Sequence, residues 1–303
     1  MHVIAALYKF AKLEDFEALQ APLRARGEAL GITGILLLAR EGLNGTIAGE
    51  ERALAEFLDL LRADPRLSDL TWKESRSEQA PFRKLRVRLK KEIVSMGAAD
   101  IVGPETVGEY VAPEDWNALI SRPGVAVVDV RNDYEVAIGS FEGAIDPKTA
   151  RFRDFPAWAE TAEALKDADA VAMFCTGGIR CEKATALMRS LGHEKVYHLD
   201  GGILAYLEQT PEEESLWRGG CFVFDERVSV GHGLKPLDHG LCRGCRRPVG
   251  AEDRGHPDFE EGVQCPACAA DISERQRAAR LERRKQIALA RDRGETHLGG
   301  EKG

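Results

Sequence analysis

The chain has 303 residues, 44% hydrophobic and 30% charged, a balance that excludes wholesale disorder and collagen-like repeats. A formal net charge of −8 excludes a uniformly basic nucleic-acid binder, so any such role rests on local patches. The longest apolar stretch near the start, residues 34–39, falls far below the ~18 residues of a membrane span, and Lys9 and Lys12 interrupt any signal-peptide core. A soluble, cytoplasmic protein of two or three domains, without membrane contact, is the expectation.

In chain order, residues 2–10 read as a short apolar strand, and residues 13–30 have helical periodicity that closes at Gly31. Residues 32–39 and 43–48 read as strands joined at Glu41-Gly42. Residues 50–61 form a second amphipathic helix with Leu54, Phe57, Leu58 and Leu61 on one face. Residues 69–73 and 82–91 return to extended structure. The order β-α-β-β-α-β is the ferredoxin-like α+β pattern, which hosts acylphosphatases, metal carriers and RNA-binding modules alike and assigns no function.

Residues 82–91 hold six basic residues and no acid. Lys84, Arg86, Arg88 and Lys90 alternate with Leu85, Val87 and Leu89, so a strand here puts cations on one face and apolar groups on the core. Such a row is either an edge strand charged against aggregation or a surface for phosphates. A linker around Gly103 and Pro104 ends this first domain, placed at residues 1–98.

Residues 107–209 alternate strand and helix as in α/β proteins with a doubly wound parallel sheet. Residues 125–130 and 170–174 are continuous apolar runs, the mark of strands buried on both faces, and the second stops at Cys175. A helix over about 181–191, a strand over 195–199 and a Gly201-Gly202 turn into a last short helix complete the unit. Ligands in such folds bind beyond the carboxyl ends of the strands, where Cys175 falls.

The third region, residues 218–303, is small and cysteine-rich and ends in a helix-prone run. An odd total of seven cysteines argues against a disulfide framework, and four of them form two Cys-x-x-Cys pairs, Cys242/Cys245 and Cys265/Cys268, with 19 residues between. That spacing suits a tetrahedral structural zinc. Four thiolates leave no open position for oxygen chemistry, so iron activation there is disfavoured. His232, His239 and His256 lie nearby and read as exposed rather than ligating. Residues 275–293 carry eight basic residues against Glu282 and Asp292. They form either a solvated terminal helix or, with the 84–90 face, a clamp for nucleic-acid phosphates.

Cys175-Thr176-Gly177-Gly178-Ile179-Arg180 joins a buried strand to a helix, so its amides can form an anion nest around the sulfur. Converging N–H dipoles, the helix terminus and Arg180 favour thiolate over thiol. Cys181 follows directly, either as a resolving thiol or as a small buried residue of the first turn. Cys221 sits among Phe222, Val223 and Phe224 and reads as a core or interface cysteine, with catalysis the lesser alternative.

Asp129-Val130-Arg131, Glu135, residues 139–144, the Cys175–Arg180 loop and residues 199–203 resemble the signatures of the rhodanese sulfurtransferases, whose loop cysteine carries a persulfide. Asp129, Arg131 and Glu135 read as structural, pairing with each other or with backbone. With the ferredoxin-like start, residues 91–97, residues 220–227 and the Cys-x-x-Cys tail, nearly the whole chain resembles the bacterial tRNA uridine hydroxylases.

That resemblance implies oxygen-dependent 5-hydroxylation of uridine 34 of tRNA, with molecular oxygen as co-substrate and the anticodon arm as the bound element. Cys175, Arg180 and Cys181 would form the catalytic group and Thr176, Gly177, Gly178 and Ile179 the substrate loop. Lys84, Arg86, Arg88 and Lys90 would contact RNA. A flipped base would sit near Tyr110, Trp158 or Phe174. The sequence holds no nucleotide or flavin motif. The alternative is a sulfurtransferase or persulfide carrier, whose partner would be a sulfur-donor protein. A third reading is a non-catalytic binding module, against which the intact loop speaks.

Overall fold

The structure is a computed structural model that describes residues 1–78, 80–98, 101–103 and 105–293. Pro104 of the expected linker and residues 294–303 of the expected third domain lie outside the described residues. The chain divides into two compact units, one of Met1–Glu226 with Val230–Lys235, the other of Arg227–Ser229 with Pro236 onward.

The first unit contains two large sheets and a small two-stranded one. The N-terminal one is built from β1 (His2–Phe10), α1 (Phe16–Ala29), β2 (Thr33–Ala39), β3 (Gly42–Gly49), α2 (Glu51–Arg62), β4 (Trp72–Ser77) and β5 (Leu85–Leu89). The strand order is β4-β1-β3-β2-β5. The first four strands have the ferredoxin-like arrangement, antiparallel throughout, and β5 adds in parallel beside β2 at the edge. Strand β4 begins three residues later than the sequence pattern suggested, because Leu70 turns into the core and Trp72 is the first residue opposite Leu7. Alternation decides the facing: Val3, Ala5 and Leu7 from β1 meet Leu36 and Leu38 from β2 and the α2 face of Leu54, Phe57, Leu58 and Leu61 in one core. Gly31 stops α1 with φ +68, a left-handed turn a side chain would strain.

The second sheet follows from β6 (Glu109–Val111), α3 (Pro113–Ile120), β7 (Val125–Asp129), α4 (Asp133–Val136), β8 (Gly139–Phe141), α5 (Phe155–Ala159), β9 (Ala170–Phe174), α6 (Ile179–Ser190), β10 (Val196–Leu199) and α7 (Gly202–Gln209). Strands β6-β10-β9-β7 are parallel, and β8 pairs separately with β11 (Trp217–Gly219). Strand β9 is interior and buried along its whole length, which explains its unbroken apolar run. Its side chains alternate between two cores: Val171 and Met173 join Phe155, Ala184 and Met188 on one face, while Ala172 and Phe174 join Trp116, Ile203 and Tyr206 on the other. Helices thus cover both faces, as the doubly wound reading required.

The second unit is small. Strands Gly240–Leu241 and Pro248–Val249 form a hairpin, followed by helices Ala251–Gly255, Pro266–Ala269 and Glu274–Asp292. Its core is Cys242, Val249, Cys265 and Cys268, with Cys245 and Phe259 packed against it. Among the described residues no helix is long and apolar enough to cross a membrane.

Candidate active site

Cys175 directly follows β9 at the carboxyl edge of the parallel sheet and is 0% exposed. The Gly178 N–H donates to its Sγ at 3.2 Å. Gly178 has φ +99, a conformation that aims this amide at the sulfur and that an L side chain rarely adopts. The loop is held from behind by α7: the N–H groups of Ile203 and Leu204 donate to the carbonyls of Cys175 and Thr176 at 2.9 and 3.0 Å. Gly202 packs so closely that a Cβ there would lie 2.5 Å from the Cys175 carbonyl oxygen. Gly202 therefore serves the cysteine loop directly.

Burial alone would push the Cys175 thiol up. A hydrogen bond from the Cys181 thiol, the Arg180 charge and the N–H groups of Cys181 and Arg180 outweigh it and bring the value down to about 6. Cys181 pays the reverse way: burial, and its role as donor to a charged Cys175, push its thiol well above the ordinary range. Both are free cysteines, fully buried. A thiolate at neutral pH beside a neutral thiol is a nucleophile with a hydrogen-bond donor already in place.

Arg180 points away from bulk water into a bidentate pair with Glu135. Its Nη1 and Nη2 lie 2.6 and 2.8 Å from the two carboxylate oxygens, and Nη2 also donates to Thr176 Oγ1 at 3.1 Å. Burial would raise the Glu135 carboxyl, but Arg180, Arg131 and the Asn132 N–H hold it below the ordinary carboxylate range. Asp129 and Arg131 pair with each other at 2.6 and 2.9 Å, and Arg131 also donates to the Gly139 carbonyl. Two of the three charged groups expected to pair among themselves do so. Glu135 accepts the backbone N–H of Asn132 at 3.1 Å, as that expectation allowed, and also orients the loop arginine, a role its sequence context did not reveal.

Cys221 is buried against this charge network, and its thiol donates to the Phe222 carbonyl at 3.7 Å. Burial chiefly pushes it up to about 12, so it stays protonated and packs. Of the aromatic residues considered for a base pocket, Phe174 lies in the core against Phe141 and Trp116, and Trp158 packs on Phe155. Tyr110 places its hydroxyl on Glu182 of α6.

The N-terminal sheet reaches the same helix. Lys183 of α6 is 0% exposed, with its Nζ 2.9 Å from Glu41 and 2.6 Å from Glu92. Glu92 also accepts the N–H groups of Met96 and Gly97, and the Ile93 N–H donates to Glu41. Residues 91–97 therefore fasten the two sheets together. Tyr8 of β1 donates to Glu182 at 3.0 Å. The contacts of Glu41 with Ile93 and of α6 with Glu41, Glu92 and Tyr8 join residues 52 to 174 positions apart, and the hint in the sequence is a Glu-Lys pair inside a helix buried on almost every side.

Elsewhere in the first unit, Lys84, Arg86, Arg88 and Lys90 are exposed while Leu85 and Val87 are buried, as alternation required; Leu89, at the strand end, is exposed. None of the four cations is in an ion pair among the described residues.

In the second unit, the Sγ atoms of Cys242, Cys245, Cys265 and Cys268 lie within 4.8 Å of one another. Four sulfurs on a tetrahedral zinc at ~2.3 Å would stand about 3.8 Å apart, and pairs here are 3.5, 3.9 and 4.0 Å apart. The cluster fits a metal ion. His239 accepts or donates instead at Ser229 Oγ, 2.7 Å away. Arg277 and Arg284 of the terminal helix pair with Glu260, and Arg280 donates to the Val263 carbonyl. Three of its cations therefore brace the knuckle, although Arg277 and Arg284 stay exposed.

Comparison with known proteins agrees with these parts. The family model described as UPF0176 acylphosphatase like domain matches residues 2–93, and that of the Rhodanese-like domain matches residues 112–209. A protein of Jannaschia sp. named tRNA uridine(34) hydroxylase is 56% identical over 299 residues, covering 99% of each chain. A Rhizobium leguminosarum protein of the same name is 55% identical over 297 residues, covering 98% of this chain and 96% of its own. Among solved structures, a rhodanese-related protein from Thermoplasma volcanium is 23% identical with a TM-score of 0.28, covering 34% of this chain and 93% of that one.

Proposed function

The chain belongs to the tRNA uridine(34) hydroxylase family, and on that premise we propose that it hydroxylates carbon 5 of the uridine at position 34 of tRNA, with molecular oxygen as co-substrate. The observation that carries this reading is identity of 56% over 299 residues, 99% of both chains. Cys175 is the reactive group, charged at neutral pH; Cys181 is its proton donor. Arg180 fixes the loop through Glu135, and Thr176, Gly177, Gly178 and Ile179 line the substrate side. The domains divide at 1–98 for tRNA contact, 107–209 for catalysis and 218–303 for the cysteine knuckle and basic helix.

Lys84, Arg86, Arg88 and Lys90 supply phosphate contacts to the anticodon arm, a role supported by their exposure and lack of acidic partners. Zinc held by Cys242, Cys245, Cys265 and Cys268 would supply folding energy to a unit with a very small core. The sulfurtransferase alternative, with its sulfur-donor protein, draws support from the rhodanese-like domain and its loop, whereas relatives matched over nearly their full length carry the hydroxylase name.

The test is Cys175→Ala in a strain lacking related enzymes, with tRNA nucleosides analysed by mass spectrometry. Loss of 5-hydroxyuridine is expected, and an unchanged level sinks the assignment. Thiocyanate formation from thiosulfate and cyanide, with no effect on tRNA, would establish the sulfurtransferase instead.

A further inference from the structure

Three side chains beside the Cys175 loop have no part in the reaction as described so far. Glu182, in the first turn of α6, is 5% exposed. Tyr8 Oη donates to its Oε1 at 3.0 Å, and Tyr110 Oη lies 2.8 and 2.9 Å from its two oxygens. Tyr8 comes from β1 and Tyr110 from β6, so the carboxyl group is gripped from both sheets. The Tyr8 hydroxyl also lies against the loop, since a Cβ on Gly178 would stand 2.8 Å from it. Gly178 is the residue whose amide meets the sulfur.

A buried carboxylate and a buried thiolate at close range oppose each other's charge. Burial pushes the Glu182 carboxyl above its ordinary range, the two tyrosine donors pull it down, and the Cys175 thiolate and Asp200 push it up again. Both tyrosines are themselves pushed up, by burial first and then by Glu182, so they stay protonated as donors. The groups facing Glu182 are Tyr8 from β1, Tyr110 from β6 with His198 against its ring, Cys175, Cys181 and Arg180 around the loop, and Asp200 after β10. Lys73 of β4 reaches Gly201, next to Asp200. Arg180 is committed to Glu135, and Lys183 to Glu41 and Glu92.

We propose that Tyr8, Tyr110 and Glu182 form a proton-holding group, assembled from both sheets, that sets the negative charge beside the Cys175 sulfur. Glu182 is then a positioning residue acting through that sulfur, and the N-terminal sheet contributes to the reactive site as well as to RNA contact. The inference rests on the reading of Cys175 as the reactive thiol.

The experiment follows alkylation of Cys175 by iodoacetamide in the full chain between about pH 4 and 9, read by peptide mass spectrometry. Trypsin cleaves after Arg180 and so separates Cys175 from Cys181. The wild-type midpoint is expected near 6. Glu182→Gln removes the competing charge and lowers the midpoint by about one pH unit. Tyr8→Phe takes one donor from the carboxylate, leaves it protonated to higher pH, and moves the midpoint the same way by less. This second variant carries the test if the first fails to fold. Midpoints unmoved or raised in the folded variants overturn the inference. Absence of reaction at Cys175 in the wild type at pH 7 overturns the reading of the cysteine itself, whereas a wild-type midpoint near 6 with unmoved variants overturns the proton-holding group alone.

Discussion

Cys175 is one sulfur at a strand end, surrounded by backbone amides, a single thiol donor and a guanidinium already paired with a carboxylate. Cys242, Cys245, Cys265 and Cys268 are four sulfurs drawn within 4.8 Å of one another by two short knuckles, with little else for a core. In the first case the fold stabilises one negative sulfur by dipoles and leaves it able to react. In the second, four like groups are gathered at the spacing a shared cation would take. The comparison teaches that a cysteine's surroundings, rather than its burial, decide whether it is a reagent or a strut, since both sets are largely buried.

The comparison breaks most sharply at Cys175 itself. Cys175→Ser is expected to lower 5-hydroxyuridine formation at least about 100-fold with the secondary structure retained, measured on purified tRNA and by circular dichroism. Cys265→Ser is expected to abolish stoichiometric zinc, measured by elemental analysis, and to open residues 236–293 to protease. Alkylation of Cys175 should persist in that variant, and its loss would mean the two sulfur sites are not separable. Glu135→Gln leaves Arg180 buried with half its partner, a defect that costs about 3–5 kcal/mol and should appear as a lower Tm in calorimetry.

A smaller effect is pH-dependent. Because the folded Cys175 thiol is brought down from 9.0 to about 6, its alkylation should be flat above neutrality and fall about tenfold per pH unit below the midpoint. The matching stability contribution is complete above the unfolded value of 9.0 and disappears as pH falls through about 6. Smallest is Lys84→Ala, which should weaken tRNA binding roughly evenly across sequences and reduce the salt slope by about one; an unchanged slope removes Lys84 from the interface.

Much of the fold was legible because its signals are local. Strand β9 announces itself by five buried residues ending at a cysteine, and α2 by four apolar residues on one face. The four knuckle cysteines are legible from spacing, which fixes which sulfurs can meet. What the sequence hid is long-range and polar. Glu135 looked like a companion of Asp129 and Arg131 because they are close in the chain, yet its partner is 45 positions away. Tyr8 sits in a strand that reads as ordinary core, and its meeting with Glu182 depends on the docking of two sheets, which no local period encodes. The basic terminal helix misled in the other direction: counting its charges gave no sign that three arginines are spent inside its own unit.

Lys183 carries a last implication, for how this chain can vary. A fully buried ammonium between Glu41 and Glu92 adds little net strength over a well-packed apolar plug of the same volume. It is intolerant, however, of any seating that leaves the charge unmatched. Substitution at any one of the three strands a charge in the seam, so the positions must change together or not at all. The two sheets are thereby locked into shared inheritance: neither can be exchanged for a foreign counterpart unless the counterpart brings its own acids to the same place.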